Sequence, residues 1–444
     1  MSRSLHFLVN IGSAGYHPAA WQDPALEPDA FVRLDHYVRA ARIAERAHLD
    51  GLLFPDIPVQ QPSIASAPAA TLDPVLLTSA LAVSTERVGL IPTATTTLNR
   101  PYNLARRILS LDHISDGRAG WNVVTTFEPG AARNFGITEL PDRDERYRRA
   151  DEYVRLVQRL WDSWEDGALI ADQVGGRFAD PGRVHAVEHR GQFYSVAGPL
   201  NVPRSPQGRP VLVQAGASTQ GRAFAAAHAE VVYTTHFGLD GAVAFADDVR
   251  GAAVLRGRAG TDVRILPGLV PVVGATAIQA RDRFDELQNR LDGDSAPVRQ
   301  LAAWLGYPDA DLDPDAPLPA TLFELPENRI GPEGFFRSLT RYAAETGHTV
   351  RHLLTEFLGG HRVVADTPDR IADHIERWWR TGAVDGFTII PAVLPAHLED
   401  FVDQVVPILQ QRGLFRAAYE SATLRGHLGL SVPANSFATN TVGR

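Results

Sequence analysis

The sequence predicts an α/β protein folded as a closed (β/α)8 barrel with long insertions, one domain spanning 1–444. Three observations carry this reading. Apolar, β-branched runs recur eight times with helical patterns between most of them. The runs are continuous rather than alternating in polarity, as in parallel strands buried on both faces. No G-x-G-x-x-G turn follows the first run, where NIGSAGYHPAAW stands, and this disfavours the rival doubly wound sheet.

The first strand is read at 4–10 (LHFLVNI), and a helix over 30–48 leads to the second at 50–56 (DGLLFPD). A helix at 74–85 precedes the third strand, 88–97 (VGLIPTATTT), and another at 101–114 precedes the fourth, 119–126. The helix over 145–164 has Tyr153, Val154, Val157, Leu160, Trp161 and Trp164 at spacings of three and four, which makes one apolar stripe. The remaining strands are 211–215 (VLVQA), 230–235 (EVVYTT), 263–273 (VRILPGLVPVV) and 386–390 (GFTII), with helices at 218–228, 240–256 and 368–381. Two segments interrupt the pattern, about 165–209 and 285–362, the second rich in Pro, Asp and Gly. Segments of that length in a compact domain serve as lids or subunit contacts.

Composition excludes whole classes of chemistry. With 444 residues and 44% apolar content the chain can bury a large core. There are no cysteines, which removes thiolate nucleophiles, iron–sulfur clusters and disulfides. All 43 basic residues are arginine, so Schiff-base chemistry and a Walker A loop are excluded. A net charge of −9, spread along the chain, argues against a nucleic-acid surface. No apolar run reaches the roughly 18 residues of a membrane span, and MSRSLHFLVNIG lacks a cleavage site. A cytoplasmic protein without membrane contact is expected.

In such a barrel the C-terminal strand ends build the active site, so polar residues there need a reason. Asp56 closes the second strand, Thr93 and Thr95 lie near the end of the third, and Asn122 belongs to the fourth. Singly, the Asp also suits a cap and the threonines are ordinary strand formers. Together on one rim they point to a polar ligand. In QAGASTQGRAF, Ala217 and Ser218 precede a helix, which suits an anion at free backbone N–H groups and equally suits a tight turn with a Ser N-cap. DRDERYRRADEY offers Arg143, Arg146 and Tyr147 at a second helix start, as phosphate donors or as a solvated face. His185, His189, His236 and His361 form no H-E-x-x-H or H-x-H pair, so no metal site is expected and a metal-dependent hydrolase is disfavoured.

The strings LDHISDGRAGWNVVTT, ARNFG, DERYRRADEYVRLVQRLWDSWEDGA, HRGQFYSVAGPLNVPRSPQGRPVLVQAGAS and TLRGHLGL resemble the bacterial-luciferase-like flavin-dependent monooxygenases. The likeness runs from about residue 4 to 433 and is strongest to the branch of nitrilotriacetate monooxygenase, dibenzothiophene-sulfone monooxygenase and the pristinamycin synthase large component. It implies a TIM barrel, assembled as a homodimer or homotetramer, that takes reduced FMN (FMNH2) from a separate NAD(P)H:flavin reductase. Oxygen would add at the flavin C4a position, and the (hydro)peroxyflavin would oxygenate a small organic substrate. The residue-by-residue match places cofactor contacts on Asp56, Thr93, Thr95, Asn122, Arg143, Tyr147, Ala217 and Ser218. Arg143 stands where the family usually has His, and arginine can hold a phosphate but cannot act as a neutral imidazole. His17 and Trp21, in GYHPAAWQDP, are the substrate-side candidates. No residue is identified as a catalytic acid or base. A non-catalytic flavin-binding protein of the same fold would carry the same binding residues.

Overall fold

Parallel strands β1 His6–Asn10, β2 Gly51–Phe54, β3 Gly89–Thr95, β4 Gly120–Val124, β5 Val211–Ala215, β6 Val231–Thr234, β7 Arg264–Val273 and β8 Gly386–Ile389 pair in sequence. The β8–β1 pairing, with His6 opposite Gly386, closes the ring. The computed structural model describes residues 3–438 except 61, 66, 69–71, 292–294, 308–310 and 325–332. All eight predicted strands are present, each within a few residues of its expected bounds.

The continuous hydrophobicity of these strands follows from their burial on two sides. Phe7, Val9, Leu52, Phe54 and Leu90 pack outward against the helical layer, which includes helix α1, Leu34–Arg46, with Tyr37, Ala40 and Ala44. Leu8, Leu53, Ile91, Val211, Val213 and Leu266 point inward with Leu424 and Leu428 from the C-terminal segment. Those leucines plug the N-terminal end of the barrel, and glycine makes room for them. A Cβ at Gly89 would lie 2.5 Å from Leu424 Cδ1. The TLRGHLGL string is therefore a structural stopper. Its Arg425 is 1% exposed, ion-pairs with Glu230 and donates to the carbonyls of Gln207 and Arg209.

Helices α2, Pro74–Ala82, and α3, Pro101–Ile114, follow their predicted positions. Helix α4, Arg143–Trp161, starts where Asp142 accepts the Glu145 N–H at 2.8 Å, and Asp144 and Glu145 in its first turn suit the helix dipole. Tyr153, Val154, Val157, Leu160 and Trp161 of its predicted stripe share a core with Leu104, Ile108 and Leu109 of α3, while the helix ends at Trp161, short of the expected 164, and Trp164 beyond it donates to the Leu200 carbonyl. The helix expected over 30–48 is divided: a 3-10 turn, Ala30–Val32, precedes α1. Helices α5, Thr219–His228, and α6, Leu239–Val254, complete the predicted set on this side.

The insertions are more ordered than their composition suggests. Between 165 and 209 lie two short antiparallel hairpins, Leu169–Asp172 with Arg177–Ala179 and His189–Arg190 with Ser195–Val196. The reading of 285–362 as a loop is corrected by helices Ser295–Leu305, Glu333–Thr346 and Val350–Thr355. They share a core that includes Phe237, Leu301, Leu305, Phe335, Phe336, Leu339 and Phe357. A strand at His361–Asp366, not foreseen, pairs with β7 from Leu269↔Arg362 to Val273↔Asp366. At ten residues β7 outruns its barrel neighbours, and this strand takes up its upper half. Among the described residues no helix is long and apolar enough to cross a membrane.

Candidate functional site

Inward positions change character along the barrel. Two residues beyond Leu8 stands Asn10, and two and four beyond Ile91 stand Thr93 and Thr95, all on the C-terminal side. Above them opens a cavity of about 360 Å3. The strand-end polarity that looked anomalous in the sequence is the floor and wall of this space.

Asp56 and Thr95 line the wall that the cavity shares with an adjoining recess, and Thr93 faces the recess. Asn122 lies beneath and donates to Thr93 Oγ1 at 2.8 Å, while Thr95 and Thr126 join hydroxyls at 2.8 Å. Burial, reinforced by Asp73, pushes the Asp56 carboxyl up to about 6. At the other end of the cavity stand Arg143, Tyr147, Ala217 and Ser218. Ser218 caps α5 by accepting the Gly221 N–H at 3.1 Å, and its side chain is hydrogen-bonded with Tyr147. Burial raises the Tyr147 phenol, and Ser218, Arg143 and Arg146 act in the opposite sense.

The sequence motifs thus bring eight predicted residues to one end of the barrel. His17 and Trp21, in the loop that follows β1 at the same end, do not line the cavity. The His17 ring meets Phe284 edge-on at 6.0 Å, and Trp21 packs in the same apolar cluster, with Phe284 and Leu287 of helix Ala277–Asn289. His17 is 2% exposed, and that burial lowers its imidazole to about 4.

Arg146, a phosphate-donor candidate in the sequence, also lines the cavity, and among the polar lining residues that no sequence motif marked are Gln214, Tyr233, Glu333 and His361. Tyr233 and His361 are hydrogen-bonded at 2.7 Å, and Asn10 Nδ2 donates to the Tyr233 oxygen at 3.1 Å. Burial lowers the His361 imidazole to about 3 and raises the Tyr233 phenol, so both are neutral at pH 7. Glu333, from the insertion, takes Arg143 at 2.7 Å and Arg337 at 2.8 Å. Arg143 and Arg146 of α4 therefore share the cavity with the Glu333 carboxylate, and Asp56 and Glu128 are the other acidic residues of its lining.

The donor set suits a ligand with one anionic group and a polar edge. Gly221 leaves open a cradle, since a Cβ there would sit 3.1 Å from Ser218 Oγ and 3.2 Å from the Tyr147 hydroxyl. Gly216, at φ +145°, leaves another beside Gln214, whose amide nitrogen would lie 3.0 Å from an added Cβ. Asn122 Oδ1, Gln214 Oε1 and Arg146 Nε are buried with no hydrogen-bond partner among the described residues. Buried polar atoms left so are costly, and a polar ligand would satisfy them. Val123, Phe127, Phe224 and Phe335 supply the apolar remainder of the lining.

The family model described as luciferase-like monooxygenase matches residues 6–385. Nitrilotriacetate monooxygenase component A from Aminobacter aminovorans is 41% identical over 98% of each chain. The solved structure of EDTA monooxygenase from Chelativorans sp. BNC1 superposes with a TM-score of 0.83 at 36% identity, covering 96% of this chain and 99% of that one. A riboflavin lyase solved with modified FMN and riboflavin gives a TM-score of 0.83 at 32% identity, over 97% of each.

Proposed function

The chain belongs to the luciferase-like monooxygenase family, and from that premise we propose that it oxygenates a small organic substrate with reduced FMN and dioxygen, the flavin arriving from a separate NAD(P)H:flavin reductase. Its place among monooxygenases over its full length makes it an oxidoreductase of the flavin monooxygenase class. The observation that carries the FMN reading is the Ser218–Tyr147 cradle at the start of α5, opening onto a cavity lined by Gln214, whose buried amide oxygen has no hydrogen-bond partner among the described residues.

In this reading Ser218 Oγ, the Tyr147 hydroxyl and the first N–H groups of α5 hold the phosphate at the positive end of the helix dipole. Arg143 and Arg146 offset its charge. Asp56, Thr93, Thr95 and Asn122 meet the polar edge of the ring and ribityl chain. Reduced FMN, when bound, supplies the two electrons that activate dioxygen. The protein's remaining task is to keep water and stray protons from the reacting centre. Val123, Phe127, Phe224 and Phe335 do this, and the neutral Tyr233–His361 pair adds polarity there without charge.

The test couples the purified chain to a flavin reductase with NADH, FMN and 18O2, and offers a bacterial metabolite extract. The reading predicts products carrying one 18O atom. Oxygen returned entirely as hydrogen peroxide, whatever is offered, would leave a flavin-binding protein instead.

A prediction arises at Asp56. Asp56→Ala should weaken flavin affinity by more than about threefold, roughly 0.7 kcal/mol; a smaller change by fluorescence titration removes Asp56 from the site. The sign of its stability effect is also fixed. Its folded carboxyl titrates near 6, above the ordinary 3.8. Asp56 is therefore tolerated best below the lower value, and the fold loses stability as pH rises through the higher one. Asp56→Asn should raise the melting midpoint by about 1–3 °C at pH 7 and leave it unchanged near pH 4.

A further inference from the structure

We propose that His348, His352 and Glu356 form a binding site for a divalent cation of the zinc type on the insertion, apart from the cavity. In TGHTVRHLLTEF these residues stand four apart, the spacing that aligns side chains along one helical face. Helix Val350–Thr355 forms there with Thr349 as N-cap, its hydroxyl accepting the His352 N–H at 3.2 Å. His348 stands just before the helix and Glu356 just after it.

The ligand atoms converge. All three lie within 4.8 Å of one another. His348 Nδ1 is 3.4 Å from Glu356 Oε2, and His352 Nε2 is 3.9 Å from Glu356 Oε1. Two ligands bound tetrahedrally at zinc distances lie about 3.3 Å apart. The first spacing already matches, and the second, to the other carboxylate oxygen, is somewhat longer. The imidazole rings are 4.0 Å apart at their centroids, with side chains 31% and 52% exposed, so an ion reaches them from solvent.

The surroundings hold the ligands in place. The Tyr342 side chain is hydrogen-bonded with Glu356, and its ring meets His348 edge-on at 5.8 Å. Ligands oriented in this way by neighbours are a regular feature of metal sites. Two imidazoles and one carboxylate favour zinc, nickel or copper over magnesium or calcium, which take all-oxygen sets. Three protein ligands leave a fourth position for water. An ion bound here ties the two ends of helix Val350–Thr355 together, five residues before His361 of the cavity wall.

The experiment uses the untagged full-length chain, stripped with a chelator and then exposed to Zn2+ alone or Co2+ alone. The wild type should retain one equivalent of Zn2+ through gel filtration and give a 1:1 Co2+ absorption band. His348→Ala with His352→Ala should abolish both, and Glu356→Gln should weaken binding at least about tenfold. His352→Ala alone, at an exposed position, serves if the double variant is poorly folded, and it too should lose the equivalent. Equal Zn2+ uptake by wild type and His352→Ala, or no saturable Co2+ binding up to about 100 µM, overturns the site and leaves two histidines paired with a carboxylate.

Discussion

Arg143→Ala should weaken FMN binding by about ten- to a hundredfold, because a charge-assisted contact to phosphate is worth roughly 1.5–3 kcal/mol. Phosphate-free riboflavin should change by less than about twofold, since its ring and ribityl contacts stay intact. The Glu333 ion pair sharpens the expectation. Arg143 Nη1 lies 2.7 Å from Glu333 Oε2, and that carboxylate is 8% exposed whereas the arginine is 41% exposed. Removing Arg143 deletes a donor and also bares a buried negative charge on the same cavity wall, leaving Arg337 to pair with it. Glu333→Gln should therefore hold FMN at least as well as the wild type. Parallel titrations with the two flavins decide. Unchanged FMN affinity in Arg143→Ala returns the residue to a surface role, and equal losses for both flavins place it near the ring.

Asp50→Asn should cost about 3–5 kcal/mol, the loss typical of a buried ion pair deprived of one partner. Asp50 is fully buried beneath the barrel, where it pairs with Arg416, contacts His6 at 3.1 Å and accepts the Phe7 N–H at 2.6 Å. Burial by itself would raise its carboxyl, but Arg416 and His6 outweigh that and hold it down at about 2. A depressed carboxyl stabilises the fold above its ordinary value of 3.8, and that contribution is lost as pH falls from there toward 2. In denaturant titrations the deficit of Asp50→Asn should be level above about pH 5 and shrink below pH 4. A deficit under about 1 kcal/mol at pH 7 would show that Arg416 finds other partners.

What the sequence discloses and what it hides divide on physical lines. Strands buried on both faces, such as Gly51–Phe54, are apolar along their length, which makes the barrel strands recognisable one by one. The polar rim was recognisable because Thr93, Thr95 and Asn122 break that rule at strand ends. Glu333 and His361 come from an insertion whose Pro and Gly content hid its helices and a strand, and nothing local marks either residue as facing the barrel mouth. The H-x3-H-x3-E spacing at 348–356 is masked for the same reason, since a helical face has no meaning where composition shows no helix. His17 and Trp21 show the converse, since a motif in a loop records which residues recur and not which neighbours they pack against. Here those neighbours are Phe284 and Leu287.

The proposed preference for the reduced mononucleotide flavin rests on one compact anion cradle at Ser218 and Tyr147. Anaerobic titration of the chain with FMNH2 and FADH2, followed by stopped-flow mixing with oxygen, tests it most directly. The account predicts binding of FMNH2 at least about tenfold tighter than FADH2, a difference of roughly 1.4 kcal/mol. Equal or tighter binding of FADH2 would contradict it.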